Sequence, residues 1–348
     1  MLRMALRDLQ WRARRVVIAM FGTALVFAMT LVLAGISASL RNEPKHTVHT
    51  FRADAWVVQK GVFSPFTAVS VMPLDRLDTV RGLPGVRAAA PVLIVHETLD
   101  FGGYRDIELV GYRSGQLGEP TVSAGRLPTA PHEITADRTL IGAKLGHTVD
   151  IAGTAFTIVG LTTHLSIDAG QPLLFVSLDD AEHLLAGSPV VSAILTTGTP
   201  SSVPGDLTAL SEAQTAHDTL QVIAKPVSTI GLLGAVMFVV AGLVVGSVVY
   251  LSALERQRDF AVLKATGSSS SALLGGLAAQ AVLMALGAAV LGEGMALAMG
   301  PFFPIEVAIP SQSMLTLPLI AVGVGLLASG AGARRAIRAD PALAFGGP

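Results

Sequence analysis

Four stretches of this chain contain no Asp, Glu, Lys or Arg: Val16 to Leu40, Pro226 to Leu254, Ala265 to Gly292, and Val307 to Ala333. Each is longer than the ~20 residues with which an α-helix crosses the hydrocarbon of a bilayer. They explain why only 14% of the 348 residues are charged and 51% are hydrophobic, a balance far from that of soluble domains. A further uncharged stretch, His183 to Gly205, holds Pro189, Pro200 and Pro204 among Ser and Thr residues, and reads as strand and loop. The first stretch follows a basic segment, as in a secretory signal. Its apolar core exceeds the ~7 to 15 residues of a cleaved signal, so it reads as an uncleaved anchor.

Topology follows from the basic residues. Arg3, Arg7, Arg12, Arg14 and Arg15 precede the first stretch, Arg256, Arg258 and Lys264 separate the second from the third, and Arg334, Arg335 and Arg338 follow the fourth. The short connection from Pro301 to Gln312 has no Lys or Arg. The positive-inside rule therefore places both termini and the second connection in the cytoplasm of a multi-pass plasma-membrane protein. The long segment between the first two stretches escapes that rule and is expected outside. A net charge of −1 carries no general signal for a nucleic-acid partner.

The predicted architecture is an α-helical membrane protein with four transmembrane helices plus an α+β extracytoplasmic domain between helices one and two. Spans are expected at residues 16–40, 226–254, 268–300 and 313–333, with the outer domain at 41–225, an outer loop at 301–312 and a cytoplasmic tail at 334–348. Within the outer domain, Ala55 to Gln59, Val92 to His96, Phe156 to Leu161 and Leu173 to Val176 have strand character. Glu97 to Leu99 and Ile107 to Val110 flank Gly102-Gly103 as a hairpin. Leu74 to Val80, Asp179 to Leu185 and Asp206 to Leu220 read as helices, the second capped by Ser177. The chain has no cysteine, so the domain relies on its own core and offers no thiol chemistry. All eight histidines lie there; His46 and His49 would share a helix face, but a lone pair falls short of the ligands zinc wants. No G-x-S-x-G elbow marks a hydrolase.

The spans are rich in small residues, including Gly242 and Gly246 at i, i+4 and Gly275, Gly276 and Gly287, a composition that suits close helix packing within the chain or a dimer seam. Glu293 is expected at the outer end of the third span. No ionisable group lies at mid-span, unlike an ion-coupled carrier. Between spans two and three, Glu255 to Gly267 reads ERQRDFAVLKATG. As a helix it gathers Phe260, Leu263 and the stem of Lys264 on one side and Glu255, Arg258 and Asp259 on another, with Gly267 placed as a C-terminal stop. Such a segment is either a docking element or a solvated turn.

The segment ERQRDFAVLKATGSS resembles the coupling helix of the ABC permease superfamily that includes the MacB, LolC, LolE and FtsX permeases. The start, MALRDLQWRARRVVIAMFGTALVFAMTLVLAGIS, is similar to that family's interfacial helix, here residues 1–15, and first span. AGRLP at Ala124 to Pro128, IGAKLGHTVDIAGTAFTIVGL at Ile141 to Leu161, LLFVSLDDAEHLL at Leu173 to Leu185 and RRAIRADPALAF at Arg334 to Phe345 resemble its recurrent segments. Gly146-His147 stands where many relatives have Gly-Asp, and Gln280 where Glu is common.

The resemblance implies a permease subunit, itself without catalysis or cofactor, that couples to a separate cytoplasmic ABC ATPase holding ATP and Mg. Two copies of this chain would join two ATPase subunits in the lipid membrane, with no nucleic acid involved. Consistent with that division, no G-x-x-x-x-G-K-[ST] phosphate loop occurs. Glu255, Arg256, Arg258, Asp259, Phe260, Leu263, Lys264 and Gly267 would form the docking element. The output would be export, extraction or force applied to the outer domain. The alternatives are an FtsX-like regulator of an extracellular cell-wall hydrolase and a membrane sensory receptor.

Overall fold

The computed structural model describes residues 13–101, 103–185, 187, 189–255, 269–303 and 307–337. The chain forms two compact units, Met1–Ser39 with Ser228–Pro348, and Leu40–Val227. Its helices are α1 (Ala13–Thr50), α2 (Arg76–Arg81), α3 (Leu178–Leu184), α4 (Glu212–Glu255), α5 (Ser270–Met299) and α6 (Ser311–Ile337). Among the described residues, three stretches are long and apolar enough to cross a membrane: Val17–Thr50, Glu212–Ser247 and Ala278–Phe302. Ser311–Gly323, at the start of α6, is a shorter apolar run.

The helical unit is built from small side chains. Its core joins Ala24, Phe27, Ala28 and Leu31 of α1 to Ala241 of α4, Ala285, Ala288 and Ala289 of α5, and Leu317 and Ala321 of α6. Polar groups in α1 close on their own helix: the Thr23 and Thr30 hydroxyls donate to the carbonyls of Ala19 and Val26 at 2.9 and 2.8 Å. The outward faces carry Val239, Leu243, Val290, Leu319 and Leu327, each more than half exposed. An apolar exterior around an alanine interior suits a lipid surround, where close backbone approach replaces hydrophobic burial between helices.

The second unit is a sheet of 11 strands in the order β13-β1-β12-β3-β4-β10-β6-β8-β5, with β7 joined to β3 and β8, and β9 to β10. The main strands are β1 (Ala55–Gln59), β3 (Ala88–Asp100), β4 (Tyr104–Tyr112), β6 (Glu133–Asp137), β8 (Thr154–Thr162), β10 (Gln171–Ser177), β12 (Ala193–Thr197) and β13 (Leu207–Ser211). Shorter are β5 (Ala124–Gly125), β7 (Thr148–Ile151) and β9 (Ser166–Ile167), while β2 (Met72–Pro73) and β11 (Val190–Val191) pair separately. The β4–β10 and β6–β8 pairs are parallel.

Alternation distributes these strands over distinct cores. Trp56, Val92, Val110, Phe175 and Leu195 point to one face and pack with Phe51 and Phe66. Their neighbours Leu93, Leu109 and Leu174 point to the other, under Leu178 and Ala181 of α3. Val57 and Ile194 join Leu77 and Val80 of α2 in a third cluster. Helix α3 starts at Ser177, whose hydroxyl accepts from the Asp180 N–H at 3.0 Å, the cap read from the sequence. The expected β3–β4 hairpin is present, with Asp100 opposite Tyr104 and Gly103 at a φ of 133° that only glycine adopts easily. The AGRLP motif acts in the turn before β6: Arg126 grips Glu133 through both guanidinium nitrogens, and the Glu133 carboxylate also accepts from the Thr129 and Ala130 N–H groups.

One element differs from expectation. Asp206 to Leu220 does not form one helix: Leu207–Ser211 is strand β13, antiparallel to β1, and α4 starts at Glu212. Burial of Leu207 and Leu210 in cores on opposite faces favours the strand. Ser211 and Gln214 then open the helix reciprocally, Ser211 Oγ accepting from the Gln214 N–H and Gln214 Oε1 accepting from the Ser211 N–H.

Two glycines test this packing. A Cβ at Gly111 would lie 2.5 Å from Ala181 Cβ, so Gly111→Val is expected to destabilise the sheet unit by about 1 to 3 kcal/mol, read by thermal or denaturant unfolding. In the helical unit, a Cβ at Gly292 would lie 2.8 Å from the Ala24 carbonyl oxygen and 2.9 Å from Phe27 Cβ, whereas one at Gly294 meets nothing within 4 Å. Gly292→Leu is expected to lower the melting temperature of the purified protein and Gly294→Ala to leave it unchanged.

Candidate functional site

The sequence placed its docking element at the end of the second span. Glu255 is the last residue of α4. Arg256, Arg258, Asp259, Phe260, Leu263, Lys264 and Gly267 lie outside the described residues. Gly242 and Gly246 are half-buried on α4, next to the buried Ala241 and Val245. On α5, Gly292 lies close to the α1 backbone at Ala24 and Ala28, Gly287 faces the Met20 side chain, and Gly275 and Gly276 have open space beside them. Glu293 is not at a helix end, since α5 continues to Met299, and its Oε1 is buried without a hydrogen-bond partner among the described residues. His46 and His49 diverge, the first meeting the His164 ring at 6.5 Å and the second the Glu212 carboxylate at 2.8 Å.

The sheet unit holds a cavity of about 480 Å³ that composition did not reveal. Its apolar walls include Phe66, Val69, Val71, Ile94 and Val222, and its polar groups are His96, Glu108 and Asp168. Sheet register brings the first two together, because His96 on β3 stands opposite Glu108 on β4. His96 Nδ1 lies 3.1 Å from Glu108 Oε1 and 2.9 Å from the Gln171 amide. Glu108 is only 3% exposed, so its carboxylate has left water for one ring partner.

Asp168 arrives by a strained turn. Asp168, Ala169 and Gly170, between β9 and β10, all have positive φ, at 48°, 70° and 99°. Left-handed backbone at the first two disfavours those residues by about 1 to 2 kcal/mol each and persists only where surroundings impose it. Here Glu43 on α1 imposes it: its carboxylate accepts from the N–H groups of Ala169 and Gly170 at 3.2 and 2.9 Å and from the Ser166 hydroxyl. Thr47, one turn further along α1, donates to the Ser166 carbonyl at 2.6 Å. Held so, Asp168 reaches the cavity, and its Oδ1 is buried without a hydrogen-bond partner among the described residues. The segment leading to Pro65 and Phe66, which line the cavity, is tied to α4 through a 2.7 Å bond between the Ser64 and Thr219 hydroxyls.

Burial pushes the Glu108 carboxyl up to about 7, against the opposing pull of the His96 hydrogen bond and charge, while the Asp168 charge adds to the rise. Burial likewise raises Asp168, and the Glu108 hydrogen bond raises His96 above its ordinary value.

Two sequence families match the chain: MacB-like periplasmic core domain over residues 16–213, and FtsX-like permease C-terminal over residues 231–341. An uncharacterized ABC transporter permease of Mycobacterium bovis is 41% identical over 100% of both chains. Another, of Mycobacterium tuberculosis, is 39% identical over 100% of both. The hemin transport system permease protein HrtB of Staphylococcus epidermidis is 19% identical over 99% of both. Among solved structures, the periplasmic region of MacB from Actinobacillus actinomycetemcomitans aligns with a TM-score of 0.34 at 13% identity, over 48% of this chain and 92% of that one.

The cavity groups fix the sign of a pH dependence. Glu108 and Asp168, with raised folded values, bind protons more tightly folded than unfolded, and so does His96. The Glu108 contribution is complete below the unfolded carboxylate range and is lost as pH rises through about 7, and those of Asp168 and His96 change in the same direction. The thermal stability of the sheet unit in the intact protein is expected to fall between pH 5 and pH 8, with a shallower fall in Glu108→Gln; near-UV circular dichroism during heating checks both.

Proposed function

This chain belongs to the MacB- and FtsX-like family of ABC transporter permeases, and we propose that it relays force between a separate cytoplasmic ATPase and its outer sheet unit. The observation that carries this is the order of parts along the chain. A sheet unit is inserted between two long helices, α1 and α4, and each of these contributes residues to both units without a break in its helix. The chain has no phosphate loop of its own, so ATP and Mg would be held by the partner, as the family's division of labour implies.

In this reading the spans are residues 16–40, 226–254, 268–300 and 313–333, both termini are cytoplasmic, and two copies of the chain meet two ATPase subunits. Glu255, Arg256, Arg258, Asp259, Phe260, Leu263, Lys264 and Gly267 form the docking helix. Phe260 and Leu263 insert at the centre of the contact and the charged side chains pair at its rim, the usual arrangement of a small protein interface. Closure of the ATPases on ATP would bring the two docking helices together, and α1 and α4 would carry that displacement outward. Glu43, Thr47 and Thr219 support the last step, because they fasten the ends of these helices to turns that border the cavity.

Phe260→Asp tests the docking assignment. A charge at the centre of a desolvated contact is expected to abolish co-purification of the ATPase while leaving membrane insertion intact. Retained ATPase with this variant would overturn the assignment.

A further inference from the structure

We propose that the cavity of the sheet unit is a binding site for an organic cation with an apolar body, an amine or quaternary ammonium compound whose charge lies against Glu108 and Asp168. Its volume, about 480 Å³, falls in the range of small-molecule sites. Phe66, Val69, Val71 and Val222 give carbon walls on several sides. Such walls favour an apolar ligand and lower the local dielectric around any charge inside.

The polar end of the cavity is unbalanced in sign. Glu108 and Asp168 face it with His96 as the one basic side chain among its lining residues, and Asp106 adds to the negative field around His96. Glu108 Oε1 is matched by His96, whereas Asp168 Oδ1 is buried without a hydrogen-bond partner among the described residues. A buried carboxylate oxygen with no donor is unfavourable, and a ligand N–H or a diffuse positive charge would remove that deficit. Glu43 holds the turn in place, but Asp168 itself gains no partner at Oδ1 among the described residues, so a ligand there would satisfy an atom that the fold leaves open. Among the described residues no three His, Asp or Glu side chains converge as metal ligands do. The carbon-lined space instead suits a cation larger than a metal ion.

The test uses the intact chain in lipid nanodiscs and berberine, a fluorescent apolar cation, with empty nanodiscs subtracted. Saturable binding to the wild type is expected, with Glu108→Gln and Asp168→Asn each weakening it at least tenfold. Asp168 sits on a half-exposed turn, so Asp168→Asn keeps the test decisive where Glu108→Gln fails to fold. Lowering the pH from 8 to 5.5 should weaken binding as the carboxylates are neutralised. The anionic probe 1-anilinonaphthalene-8-sulfonate should show no loss in either variant. Absence of saturable berberine binding, unchanged binding by a folded Asp168→Asn, or stronger binding at pH 5.5 would each overturn the proposal.

Discussion

A half-buried carboxylate that must be fed hydrogen bonds governs the arrangement of the sheet unit. Glu43 projects from α1 at the point where that helix has left its uncharged stretch. It is satisfied by Ser166 and by the backbone of Ala169 and Gly170, which takes a left-handed path to reach it. A carboxylate stripped of water and left unpaired would be strongly destabilising, so the turn bends to the helix rather than the reverse. Position of the β9–β10 turn, reach of Asp168, and register of Gln171 beside His96 all descend from this bond set.

The helical unit obeys a different rule. Its interior is mostly alanine around Phe27, Leu31 and Leu317, with Gly292 against α1, so close backbone approach adds to side-chain burial in holding it together. The Gly292 contact with Ala24 and Ala28 shows how little room is left. A seam with so little room leaves small space for a larger side chain or for sliding of one helix along another.

Legibility from the sequence followed the range of the interaction. The first three charge-free stretches, the Ser177 cap and the β3–β4 hairpin are local signals, and each has a counterpart in the structure. The β13 strand was hidden because Leu207 and Leu210 bury only through pairing with β1, about 150 residues earlier in the sequence. A local signal for the start of α4 did exist, in the Ser211-x-x-Gln214 spacing. His96, Glu108 and Asp168 come together through strand register and one strained turn, neither of which leaves a motif. Gly287 was legible as a packing glycine, while the role of Gly292 depends on which α1 residues lie opposite it.

The two rims of the large sheet end differently from its middle. One rim is β5, only two residues long, and the other is β13, five residues that run straight into α4. A two-residue rim presents too few free N–H and C=O groups to template another chain's strand, and a helix following directly from the opposite rim limits how far an added strand could extend. The architecture thus limits growth of a wide β-surface by strand addition at either rim, so the sheet closes on itself as a unit rather than offering a template to a second copy.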